Sequence, residues 1–167
     1  MFNFLKINTK RHLRRNKSAR ENVPYTQAKT VGIIFTVEDM RKHNLIKELI
    51  KKLEHDGKKA SVVCHLPKDK QNYEFLFDFF TGKDVSFWGN NTSEAALKFS
   101  STAFDYLLYL DTEPNPLILN LLAQSKAKCR IGKFWAEGRP YFELMIENMK
   151  GVNDLIDGIY KYTSLLR

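Results

Sequence analysis

Cysteine is scarce in this chain. Cys64 and Cys129 stand alone, without a CxxC spacing or a nearby histidine pair, which excludes a disulfide scaffold and a thiolate metal site. Both read as buried reduced thiols of a protein in a reducing compartment, with no disulfide-linked partner. No run approaches the ~20 apolar residues that span a bilayer, and the N-terminus lacks the apolar core and small-residue cleavage site of a signal peptide. A cytoplasmic body is therefore the expectation. Glycine is missing from FTVEDMRKHN, the stretch after the first apolar run, where a dinucleotide fold would carry its phosphate cradle. Glu38 and Asp39 at that helix start would repel an anion, so NAD, FAD and P-loop nucleotides are not expected, and no cofactor is assigned. His12, His43, His55 and His65 share no spacing, and no serine sits in a G-x-S-x-G elbow. No catalytic residue and no metal ligand emerges from these patterns, and catalysis is not expected.

Acid is also absent from the first twenty residues. Residues 1–30 hold Lys6, Lys10, Arg11, Arg14, Arg15, Lys17, Arg20 and Lys29 against the single acid Glu21, a net +7 of the chain's formal +8. The rest is nearly neutral, so the basic character belongs to one end. In a chain of 167 residues with 43% hydrophobic residues, the remainder is long enough for one domain with a proper core. The reading is a basic N-terminal arm and linker over residues 1–29 and an α/β domain over residues 30–167.

Were the arm helical, Phe2, Leu5, Thr9 and Leu13 would share one side, and Lys6, Lys10, Arg14 and Lys17 another. Lys6, Lys10, Arg11, Arg14, Arg15, Lys17 and Arg20 are the candidate binding residues. They suit RNA, where affinity comes from counterion release. They also suit an anionic membrane, with Phe2, Phe4 and Leu5 inserted. A solvated or docked tail, or a transit-like presequence, is the plain alternative.

The body alternates strands and helices. TVGIIFT at 30–36 is a β-branched and aromatic first strand. Residues 37–55 place Ile46, Leu49, Ile50 and Leu53 on one helical face, ended by Asp56-Gly57. Residues 59–66 return as a strand, completing a right-handed βαβ unit. Residues 104–132, FDYLLYLDTEPNPLILNLLAQSKAKCRIG, repeat strand, helix and strand. Residues 141–146 read as another strand. Val152, Leu155, Ile156, Ile159 and Tyr160 form the clearest helical stripe, which should close the domain. The expected fold is a single Rossmann-like domain, a mostly parallel sheet of about five to six strands with helices on both faces.

Two regions could hold a ligand. Phe75, Phe77 and Phe79 alternate ahead of FTGKDVSFWGN, where Lys83, Asp84 and Trp88 could line a surface, although aromatic clusters more often cap the end of a sheet as core. Asp111, Thr112, Glu113 and Asn115 fall at the expected carboxyl edge, where open α/β sheets bind ligands. Asp and Asn also favour turns and caps, and Asn115-Pro116 is a helix start, so capping is the favoured reading there.

VGIIF, FFTGKDVSFWG and AKCRIG, with the basic N-terminus, resemble a small bacterial family of unknown function across nearly the whole chain. Separately, FDYLLYLD and the following RIG strand resemble the N-terminal half of heptosyltransferase-like glycosyltransferases. That second resemblance implies a fold relationship and a nucleotide-sugar site between two Rossmann-like domains. The chain lacks the glycine-rich turn of that pattern, and 167 residues do not supply the second domain. The functional expectation is a non-catalytic module anchored by its basic arm to RNA or a ribonucleoprotein such as the ribosome. A protein peripheral to the inner membrane, or a glycosyltransferase-like small-ligand binder, is the alternative.

Overall fold

A computed structural model describes residues 2–167, without the side chains of Phe2 and Phe75. In chain order the elements are α1 (Phe2–Arg15), β1 (Thr30–Thr36), α2 (Met40–His55), β2 (Lys59–His65), β3 (Asp78–Phe80), α3 (Glu94–Ser101), β4 (Tyr106–Tyr109), α4 (Pro116–Gln124), β5 (Cys129–Lys133), β6 (Leu144–Ile146) and α5 (Val152–Thr163). The described strands form one sheet in the order β3-β2-β1-β4-β5-β6, and every pairing is parallel. This is the doubly wound order, in which the direction of strand addition reverses between β1 and β4.

The side-chain period of the strands sorts the core onto two faces. Val31, Ile33 and Phe35 of β1, with Tyr106 and Leu108 of β4, pack against Ile46, Leu49 and Leu53 of α2 and Leu155, Ile156 and Ile159 of α5. Ile34, Leu107 and Tyr109 pack on the other face against Ala96 and Phe99 of α3 and Ile118, Leu121 and Leu122 of α4. Both central strands are covered on both sides, which is why they read as unbroken apolar runs.

Local chemistry sets the helix ends. The Asp39 carboxylate accepts from Lys42 N and starts α2, and Gly57, at φ +76, follows its C-cap. Asn115 accepts from Leu117 N and starts α4, with Pro116 in the first turn. Ser93 accepts from Ala96 N and starts α3. The strand expected over 141–146 is shorter, because residues Ala136–Tyr141 coil into a 3-10 turn before β6.

Two expectations take a different form in the structure. Residues 2–15, read as a basic arm that could be solvated or docked, are a helix laid on α4, outside the sheet layers, with Leu5, Asn8 and Thr9 buried beneath it. Residues 16–29 run on as an ordered strap across the amino edge of the sheet. Tyr25 Oη donates to Asp56, Lys58 Nζ donates to Ala28 O at 2.8 Å, and Asp105 accepts from the amides of Lys29 and Thr30. Both follow from packing partners far away in sequence. The second difference concerns the aromatic region. Phe77 and Phe80 do enter the core, but Phe87 and Trp88 are 63% and 65% exposed, because residues 86–90 turn outward beneath the start of α1. The expectations that Phe2 inserts into a membrane and that Phe75 alternates with Phe77 concern side chains outside the described residues.

Candidate functional site

In an open α/β sheet the crevice between β1 and β4, at their carboxyl ends, is where a ligand is expected. Here it is filled by the protein's own polar side chains. Lys42, in the first turn of α2, is almost wholly buried, and its ammonium lies 2.7 Å from Asp111 Oδ1 and 2.7 Å from Glu38 Oε1. Asp111 also accepts from Thr36 N at 2.8 Å and from Thr36 Oγ1 at 2.6 Å, so one carboxylate joins the ends of β1 and β4 to α2. Asn115 uses both ends of its amide. Its Oδ1 caps α4, while Nδ2 donates to Thr36 Oγ1 at 2.8 Å and lies 3.0 Å from His65 Nδ1.

This arrangement decides the role of the expected edge residues. Asn115 is a cap, as its position before Pro116 suggested. Asp111 is no cap; it is the acceptor for a buried lysine. Glu113 contributes its carbonyl to Tyr109 Oη at 3.2 Å. The space left nearby is about 80 Å³, bounded by Tyr109, Asp111, Glu113, Lys133 and Trp135, below the usual size of a ligand pocket. Burial lowers the pKa of His65 from 6.5 and the Asp111 charge opposes it. The Asn115 amide, oriented by its cap, requires Nδ1 to accept, which places the proton of a neutral ring on Nε2. Lys42 and His65 were missed in the sequence. The signal was present for one of them: Lys42 lies on the same stripe as Ile46, Leu49 and Leu53, a lysine where the period demands an apolar residue.

The other expected edge group divides. Asp84 closes a capping box with Thr81, accepting from Thr81 N at 2.7 Å. Lys83 and Trp88 point outward. Trp88 is brought not to the sheet's carboxyl edge but to α1: its ring centroid is 5.5 Å from Phe4 and 5.3 Å from Phe87, with Phe4 and Phe87 5.1 Å apart.

α1 is seated by shape and by hydrogen bonds. Burying Leu5 contributes about 2 kcal/mol. Asn120 of α4 is fully buried and donates to Asn8 Oδ1 and Thr9 Oγ1, both at 3.0 Å, while Asn8 Nδ2 donates to Asn90 at 2.8 Å. At the other end Asn16 Nδ2 donates to the carbonyls of Ala123 and Ser125, which close α4. These buried amides have partners only in one register, so they set which side of α1 faces in.

With that side fixed, the outward arc is basic. Lys6, Lys10 and Arg14 follow one another at four-residue steps, and Ile7, Arg11 and Arg15 form a second row headed by the apolar residue. All five bases are exposed, and Ile7, Lys10, Arg11, Arg14 and Arg15 line one shallow hollow. Among the described residues no carboxylate lies within ion-pair distance of any of them. Burial, then the charges of Arg11 and Arg15, lower His12 from 6.5, so at neutral pH it adds no charge. Lys17 is exposed just past the helix end. Arg20 is withdrawn from the array: it donates to Ala127 O and lies 3.6 Å from Glu143, beside the buried Arg130.

Residues 2–166 match a family of unknown function, DUF6913, and the chain belongs to that family. No curated protein matches it.

Proposed function

We propose that this member of DUF6913 binds RNA, bare or within a ribonucleoprotein particle such as the ribosome, through the outward face of α1. The observation that carries this reading is the direction in which α1 is docked. Its inner side, Leu5, Asn8 and Thr9, is buried, so five cations without an ion-pair partner among the described residues face outward, with Ile7 among them, on a preset scaffold. A polyanion then meets an ordered array, and binding releases counterions without first having to order a tail.

The same docking disfavours the membrane alternative. An amphipathic helix lies on a bilayer by its apolar face, and in α1 Leu5 is withdrawn at 3% exposure, which leaves Phe4 at 36% and Ile7 at 60% as its exposed apolar side chains. The likeness of residues 104–132 to heptosyltransferase-like glycosyltransferases finds no support in the sheet's crevice, which Lys42, Asp111 and Asn115 fill.

The test replaces Lys6, Lys10, Arg11, Arg14 and Arg15 together by Gln. Exposed glutamines keep the helix, whereas deleting α1 would strip the cover from α4. Wild-type protein should bind ribosomal RNA fragments and isolated ribosomes with an affinity that falls steeply with salt, a logarithmic slope of about −3.5 if all five cations neutralise phosphates of a single strand. The Gln variant should lose at least tenfold in affinity at unchanged Tm. Equal binding by the two proteins, or no binding by wild type, removes the reading.

A further inference from the structure

Phe4, Phe87 and Trp88 form a cluster that the α1 array alone does not explain. Phe4 is 36% exposed, Phe87 63% and Trp88 65%. The three rings meet edge to face or tilted, with centroids 5.1 to 5.5 Å apart. Each therefore braces its neighbours while Phe87 and Trp88 leave most of their surface in water. Rings that served only as core would be covered, as Phe77 and Phe80 are.

The cluster is also held in place. Residues 85–91 close on themselves through Gly89 N to Ser86 O and Ser86 N to Asn90 O, both 2.9 Å, and a bridge between Val85 and Asn91. Gly89 brings this turn directly against the backbone of Phe4 and Leu5, and Asn90 is tied to Asn8. The rings thus stand against the first turn of α1, on the flank that Phe4 shares with Arg11 and Arg15. A rigid exposed indole continuing a row of cations is how proteins take up unpaired nucleotides: phosphates run along the cations and bases stack on the rings. A duplex offers the same phosphates but keeps its base faces stacked inside.

Resting on the reading of α1 as an RNA-binding face, we propose that Phe87 and Trp88 are a stacking site for unpaired bases, and that the surface selects single-stranded RNA over duplex RNA. Phe4 braces the pair from α1. The charge of the neighbouring face argues for a polyanion over a neutral apolar partner, and the occupied inner side of α1 argues for a nucleic acid over a bilayer.

The experiment measures fluorescence anisotropy with labelled 12-nucleotide single-stranded RNA and a 12-base-pair duplex, and intrinsic fluorescence with single-stranded RNA and with vesicles of phosphatidylglycerol. Proteins are wild type, Phe87→Ala/Trp88→Ala, and Trp135→Phe, which leaves Trp88 as the sole indole. Wild type should prefer the single strand about tenfold, and the double variant should lose that preference with duplex affinity unchanged. Unchanged duplex affinity reports that α1 is still seated, which separates stacking from a role in bracing the helix. In Trp135→Phe, single-stranded RNA should quench the indole. If both RNAs bind wild type equally and the double variant behaves as wild type, the stacking site is overturned while the RNA reading stands. If neither RNA binds, both are overturned. A blue-shifted, vesicle-dependent indole signal without RNA binding assigns the surface to a membrane instead.

Discussion

Lys42 and Asp111 hold each other in the middle of the crevice that a doubly wound sheet opens, 2.7 Å apart and almost wholly buried. Removing one member of such a pair strands the other charge, typically at 3–5 kcal/mol, whereas removing both together costs far less. Lys42→Met leaves Asp111 buried with only the two donors of Thr36, and should lower stability by about 3 kcal/mol. Asp111→Asn leaves Lys42 its half-exposed partner Glu38 and should cost less. The double variant should be more stable than Lys42→Met, as read from urea midpoints. Simple additivity of the two losses would show that the pair is not coupled.

Docking of α1 depends on a position with no side chain. Gly89 has φ +78, and a β-carbon there would stand 2.7 Å from Leu5 Cα and 2.9 Å from Phe4 C, backbone atoms that no rotamer change can move. Gly89→Ala should therefore lift the first turns of α1 as well as strain the turn, for a loss of about 1–3 kcal/mol. Hydrogen exchange in α1 should rise while β1 and β4 stay protected. Wild-type exchange in α1 would refute the tight fit.

The buried amide of Asn120 predicts a similar but separable loss. Asn120→Leu keeps the approximate volume and leaves the Asn8 carbonyl and Thr9 hydroxyl without their donor, at about 1–3 kcal/mol. Because α1 then loses its register, RNA affinity should fall although no base has been changed. A variant with weakened stability and full RNA affinity would separate docking from binding and contradict the preset array.

Stability should fall on mild acidification. Burial lowers His43 from 6.5, with Glu74 opposing and Lys47 assisting, and burial lowers His65 from 6.5, with Asp111 opposing. Below 6.5 and above the lowered values the unfolded chain binds more protons than the folded one, so stability is full above that window and declines as pH falls through it. His43 Nε2 is buried without a hydrogen-bond partner, and His43 packs between Tyr73 and Phe77. His43→Phe should flatten the decline between about pH 7 and 5. Urea unfolding at several pH values would measure it, and an unchanged slope in the variant would remove His43 from the account.

Neither thiol should react in the native protein. Burial, chiefly, pushes Cys64 and Cys129 up to about 12, leaving almost no thiolate at neutral pH. An aromatic disulfide reagent should label both only at the rate of opening or in denaturant. Fast labelling of either in native buffer would contradict its burial.

Much of the scaffold was legible because strand and helix periods are local properties. TVGIIFT, the stripe of Ile46, Leu49 and Leu53, Asn115-Pro116 and the stripe ending at Tyr160 each report their own element. The neutral body and basic end were legible by counting. Lys42 announced itself only as an exception to a period, and His65 not at all, since its partner Asn115 is set by the pairing of strands.

What the chain alone determined, then, is an alternation of strands and helices around an apolar core, with cations gathered at one end. Tertiary structure decided how those cations are presented. Asn120 lies 112 residues from Asn8 and Gly89 lies 84 from Leu5, yet together they turn α1's amides inward and its bases outward. The same turn pushes Phe87 and Trp88 into solvent. Burial is a property of what lies opposite a side chain, and only the folded chain supplies the opposite side.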